Sequence, residues 1–177
     1  MAKQSLREPR KFLLWLIFFI VITACCGMLY LAVQQDMRIS ANDPQIQMAE
    51  DTAVSLGAGQ KMTSVTPIDI ATSLASFLII YNSEGQVIFS GAKLNDQTPQ
   101  LPSGVFASVK SNGEQRFTWQ PQVGVRIATV VVPYSGGYVL AGRSLREVEK
   151  RIDQLGIQVG VVWGSTVGIV TVLSLLL

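Results

Sequence analysis

The sequence predicts an α+β domain with a five-stranded antiparallel sheet and flanking helices, held between two transmembrane helices. Two observations predict this. The apolar excess is concentrated at the two ends of the chain, and the strand-like segments follow helical ones instead of alternating with them. A mean hydropathy of +0.36 with 15% charged residues is too apolar for a soluble chain of 177 residues. Phe12 to Val33 is a run of 22 residues without a charge, and Ile157 to Leu177 is another of 21. At about 1.5 Å rise per residue each spans roughly 30 Å as a helix, the thickness of a bilayer's hydrocarbon core. The expected division is a basic N-terminus at 1–11, a first membrane helix at 12–33, an outer domain at 34–154 and a second membrane helix at 155–177.

Lys3, Arg7, Arg10 and Lys11 precede the first span, offset only by Glu8, which favours a cytoplasmic N-terminus. Arg146, Lys150 and Arg151 before the second span point the other way. They belong to a 121-residue segment (34–154), and segments of that length cross largely regardless of charge. Residues 34–154 are therefore expected outside. They hold ten Lys/Arg and eleven Asp/Glu without a basic patch, so nucleic acid is not an expected partner. The only cysteines, Cys25 and Cys26, lie in the first span, which leaves the outer domain without a disulfide. The string ITAC (Ile22 to Cys25) resembles a bacterial lipoprotein cleavage box, which would make Cys25 a lipid anchor. The apolar run continues through CGMLYLAV and exceeds a signal peptide's apolar core, which favours a spanning helix.

Along the outer segment, SANDPQIQMAEDTAVSLGAGQ reads as a helix capped by Asp43, with Pro44 in its first turn and Gly57 or Gly59 at its end. Ile46, Ala49, Ala53 and Leu56 form one apolar stripe, narrow enough for close contact with the domain's own sheet. Phe77 to Tyr81 and Gln86 to Ser90 flank the turn NSEG and read as a β-hairpin. A short helix, SGVFASVKSNG, follows with Val105, Phe106 and Val109 on one face and Gly113 as its stop. Three more strands follow in EQRFTWQP, VRIATVVVPYS and GYVLAGRSL. The run IATVVVP lacks polar alternation and predicts a strand covered on both faces. The chain leaves through SLREVEKRIDQLG, where Ser144 and Glu147 form a capping-box pattern and Glu147 lies four residues before Arg151. This exit helix is expected to relay signals, because it runs into the second span.

In this order, FLIIYNSEGQVIFSG and VVVPYSGGYVLAGRSLREVEKR resemble the extracytoplasmic PAS-like (Cache-type) sensing modules that sit between two membrane helices in bacterial sensor kinases and chemoreceptors. The resemblance covers about residues 36 to 153. It implies a small-ligand or interaction sensor in the bacterial cytoplasmic membrane, whose exit helix drives a transmembrane helix. Such modules usually precede a cytoplasmic output module, so the expected output is a membrane signalling partner or a continuation of the same receptor. An assembly or scaffold subunit of a membrane complex is the rival reading.

Histidine is absent, which removes Ser-His and Cys-His catalysis and histidine metal sites, and no P-loop motif occurs. No enzyme activity, cofactor or metal is expected. Arg116, Thr118 and Gln120 share one strand face and Phe117 and Trp119 the other. The resemblance implies a pocket between the sheet and its covering helices. Tyr81, Trp119, Arg126 and Tyr134 are the candidate lining residues, with Arg126 pairing a ligand carboxylate. In the second span, Gly160, Gly164 and Gly168 recur every four residues and form a candidate packing face. Its expected partner is a second copy, another membrane protein, or the first span through Thr23 and Gly27.

Overall fold

The computed structural model describes residues 7–102 and 104–176, with side chains from Arg10 onward. Lys3, the start of the 1–11 leader, Ser103 and Leu177 lie outside the described residues, as do the side chains of Arg7 and Glu8. The chain divides into two compact units, one of residues 1–37 with 150–177 and the other of residues 38–149.

The first unit is built from two helices. α1 runs Arg7–Ser40 and α4 runs Arg146–Leu176, each also contributing its inner end to the second unit. Two helical stretches, Arg10–Gly57 and Arg146–Leu176, are long and apolar enough to cross a membrane, with windows of mean hydropathy 2.7 and 2.0 that the chain itself leaves unburied. Continuous helix suits such a stretch, because every backbone N–H and C=O away from the ends is satisfied within the segment. The first stretch breaks into α1 and α2 (Asp43–Gly57) at a turn over 41–42.

That turn departs from the sequence expectation. Asn42, not Asp43, occupies the N-cap position and makes no side-chain cap, while Asp43 and Pro44 lie inside the first turn. The fully buried Gln45 closes the turn instead: with its amide oriented to donate, the nitrogen reaches the carbonyls of Ala41 at 2.7 Å and Asn42 at 3.2 Å.

The second unit is an α+β domain. A parallel pair joins β1 (Ile68–Asp69) to β4 (Ala92–Lys93). The main sheet contains β2 (Phe77–Asn82), β3 (Val87–Ser90), β5 (Gln115–Gln122), β6 (Val125–Tyr134) and β7 (Gly137–Ser144) in the order β3-β2-β7-β6-β5, every neighbour antiparallel. The two-residue pair β1–β4 had no sequence signal, because two residues are too few to show a period.

The sheet is covered on both faces. On one face α2 sets Ile46, Ala49, Ala53 and Leu56 against Val130 and Val132 of β6 and Val139 and Ala141 of β7. Ala49 is fully buried, as the narrow stripe requires for close helix-to-sheet approach. On the other face α3 (Val105–Asn112) sets Val105 and Val109 against Phe77, Ile79, Ile127, Val131 and Leu140. β6 is buried from Ile127 through Val132, as its unbroken apolar run predicts. Burial of six consecutive strand residues accounts for the loss of period-two alternation.

Two glycines are required by backbone geometry. Gly113 ends α3 at φ 80° and donates its N–H to the Val109 carbonyl at 2.8 Å, with open space around it. Gly137 starts β7 at φ 150°, where a Cβ would collide with the backbone of Tyr81 and Asn82. In a fragment spanning 36–153, Gly113→Ala is expected to cost about 1 kcal/mol in urea unfolding and Gly137→Ala about 3 kcal/mol or more. Equal losses would remove the close strand approach as the reason for Gly137.

Candidate functional site

The candidate lining residues divide between the two sheet faces. Tyr81 and Trp119 belong to the α3 face and are 2% and 4% exposed. Phe106 of α3 meets the Tyr81 ring edge-on at 4.9 Å between centroids and meets Tyr138 at the same distance in a tilted pair. Aromatic pairs at this spacing add about 1 kcal/mol beyond the area they bury. The Tyr81 hydroxyl is buried without a hydrogen-bond partner among the described residues. Burial pushes its ionisation well above the usual phenol range, because the phenolate would lose its hydration.

Arg126 and Tyr134 have the same parity as Ala128, Val130 and Val132 on β6, which puts them on the α2 side. Tyr134 packs on the α2 cluster, and Arg126 is exposed and bonded to Glu149 of α4. The four residues therefore do not converge on one pocket, since the sheet separates Tyr81 and Trp119 from Arg126 and Tyr134. Arg126 already has a carboxylate partner within its own chain. Phe106, Tyr138 and Glu149 are the neighbours that sequence reasoning missed. Their identities were visible, but their proximity depends on the strand order.

The start of α4 is tied to the second unit more firmly than the capping-box pattern suggested. The Ser144 hydroxyl accepts from the Arg146 N–H at 3.3 Å, a turn contact spanning two residues in place of the expected bond one turn into the helix. Arg146 donates through its guanidinium to the carbonyls of Thr72 at 2.7 Å and Ala71 at 3.4 Å, and Arg143 donates to that of Leu74 at 3.3 Å. The described ion pairs are Lys93–Asp96, Glu114–Arg116 and Arg126–Glu149, so the expected Glu147–Arg151 pair is not among them. Glu149, at the end of this unit, is the α4 carboxylate that finds a cation.

The membrane-length helices of the first unit are joined by a repeated pattern. The Trp15 indole donates to Thr171 Oγ1 at 3.0 Å, and the Trp163 indole donates to Thr23 Oγ1 at 2.9 Å. The space beside Gly156 is filled by Tyr30, at 3.6 Å from where a Cβ would sit. Trp15 to Thr23 and Trp163 to Thr171 are equal steps of eight residues in opposite directions, and Thr23 to Tyr30 matches Trp163 to Gly156 at seven. One antiparallel register thus holds along the pair. Phe19 adds an edge contact to Trp163 at 6.0 Å. Two Trp-x7-Thr strings were present in the sequence, one on each span, and they are the signal that could have given this register.

Gly160, Gly164 and Gly168 do not serve this contact. A Cβ at any of them would meet nothing within 4 Å, and the same holds at Gly27. Thr23 does bridge to the second helix, but to Trp163 and not to the glycines. Cys25 and Cys26 are free thiols in α1, and among the described residues no group of three or more Cys, Asp or Glu converges to hold a metal ion.

No family model matches this chain, and no curated protein or solved structure shows significant similarity to it.

The indole–hydroxyl bonds yield a direct measurement. A double-mutant cycle of Trp163→Phe with Thr23→Val in bilayer-reconstituted protein is expected to give a coupling of about 0.6 kcal/mol, typical of hydrogen bonds between membrane helices. A coupling indistinguishable from zero would remove this bond from the forces that set the register.

Proposed function

We propose that this chain is a two-span membrane protein whose outer α+β domain is a PAS-like sensing module that relays its state through α4 to a partner in the membrane. The observation that carries the reading is the junction between β7 and α4. β7 is paired along both edges, and a single residue, Leu145, separates its last residue from Arg146, the first of α4. A shift in the sheet reaches α4 through the backbone and through the Arg146 and Glu149 side-chain contacts. The observed succession of helix, hairpin, short helix, three strands and exit helix supports the PAS-like comparison.

The orphaned Tyr81 hydroxyl supports a small-molecule ligand on the α3 side. An unpaired buried hydroxyl costs about 1–3 kcal/mol, and a ligand that bonds it recovers that cost. The ligand chemistry it suits is a neutral or anionic acceptor, because a phenol held in its protonated form donates. The open glycine face supports a helix partner, either a second copy or a signalling protein, since small residues let membrane helices approach closely. The domain lies outside the bacterial cytoplasmic membrane in this reading, with the N-terminus inside.

The test compares full-length protein with Tyr81→Phe in a thermal-shift screen against amino acids, carboxylates and other small metabolites. Tyr81→Phe alone is expected to stabilise the domain by about 1 kcal/mol and to lose the shift given by any compound that binds the wild type. If no compound shifts the wild type and a protein co-purifies, the chain is a scaffold subunit and the sensing reading fails. Gly164→Leu is expected to weaken association in a membrane two-hybrid assay while leaving the outer domain folded. Unchanged association would remove the glycine face as the partner surface.

A further inference from the structure

We propose that the cleft between α1 and α4 at the Lys11 end of the pair binds the headgroup of an anionic phospholipid, an inference that rests on the two-span reading. The cleft has a volume of about 410 Å³ and is lined by Lys11, Phe12 and Trp15 of α1 and Thr171, Ser174 and Leu175 of α4. It continues the register of the Trp15–Thr171 bond, with Phe12 opposite Ser174 and Lys11 opposite Leu175 one turn further on. Among the described residues of the lining, Lys11 is the only ionisable group. The Ser174 hydroxyl has no hydrogen-bond partner among the described residues, whereas Thr171 is occupied by Trp15 and by the Val167 carbonyl at 2.8 Å. One ammonium and one free hydroxyl facing a shared space suit a phosphate.

The apolar part of the cleft selects a lipid over a free anion. Phe12 and Leu175 are 64% and 82% exposed and flank the polar groups. Phe12 opens the uncharged run, so the cleft stands where charged sequence gives way to membrane-length helix. A phospholipid places phosphate and acyl chain across that boundary, and basic clefts between membrane helices are known to receive such headgroups. Soluble phosphate would leave Phe12 and Leu175 without a partner.

The test uses the full chain in detergent, with native mass spectrometry of lipid adducts formed with phosphatidylglycerol, phosphatidylcholine or inorganic phosphate. Phosphatidylglycerol is expected to be retained about fivefold over phosphatidylcholine, the preference one lysine near an anionic headgroup supplies. Lys11→Ala should abolish the preference and Lys11→Arg should keep it, which separates charge from damage to the fold. Arg10→Ala, at an exposed position beside the cleft, should change it little. Equal retention of the two lipids, an unaltered preference in Lys11→Ala, or equal losses in Lys11→Ala and Arg10→Ala would overturn the site. Displacement by inorganic phosphate at the lipid's own concentration would overturn the lipid as occupant. Release of the chain from membranes by alkaline carbonate would overturn the two-span reading along with the site; retention without lipid preference would overturn the site alone.

Discussion

The α+β unit depends on the pairing of β7 along both of its edges. From Gly137 to Gly142 it pairs with β2, and from Gly137 to Ser144 with β6, so its backbone groups are claimed from both sides. Its side chains are claimed as well: Val139 and Ala141 enter the α2 core while Leu140 enters the α3 core. Moving β7 by one residue would exchange these two sets between faces, and neither core would fit the other's side chains. The strand that cannot slip without breaking both cores is also the one that leads into α4. The proposed relay would need a fixed origin of this kind, because a frayed strand would absorb a displacement instead of transmitting it.

The membrane-length pair is held by a different kind of force. Inside a bilayer two apolar helices gain nothing from hiding leucine from lipid, so directional contacts and close packing set their register. Here the directional contacts are two indole–hydroxyl bonds of opposite sense, Trp15 to Thr171 and Trp163 to Thr23. Around these contacts a Cβ at Gly160, Gly164 or Gly168 would still meet nothing within 4 Å, so the glycines take no part in them. The contact between α1 and α4 is thus built from large aromatic residues, whose bulk keeps the glycine backbone of α4 from close approach to α1.

Much of this was legible in the sequence. Uncharged length gave the two membrane-length helices, β-branched and aromatic residues about the turn NSEG gave the hairpin, and the unbroken apolar run gave the doubly covered β6. Gly57 and Gly113 ended their helices as expected. The losses at the candidate pocket share a cause, which is that a linear string does not state which strands are neighbours. Parity alone put Arg126 and Tyr134 together, but only the strand order shows that Tyr81 and Trp119 lie across the sheet from them. The same ignorance hid Glu149 as Arg126's partner and Phe106 as Tyr81's. The capping box at Ser144 failed for a local reason: α4 begins at Arg146, so Ser144 still belongs to the strand and reaches only the first helical N–H.

The central claim is that the α+β unit and the N-terminus lie on opposite sides of a membrane. Single-cysteine labelling in intact cells tests it, with Cys25 and Cys26 changed to alanine and a thiol introduced either at Val123, 91% exposed in the β5–β6 turn, or at Lys11. The account predicts that a membrane-impermeant maleimide labels Val123→Cys in intact cells and Lys11→Cys only after lysis. Labelling of both positions from the same side would contradict it.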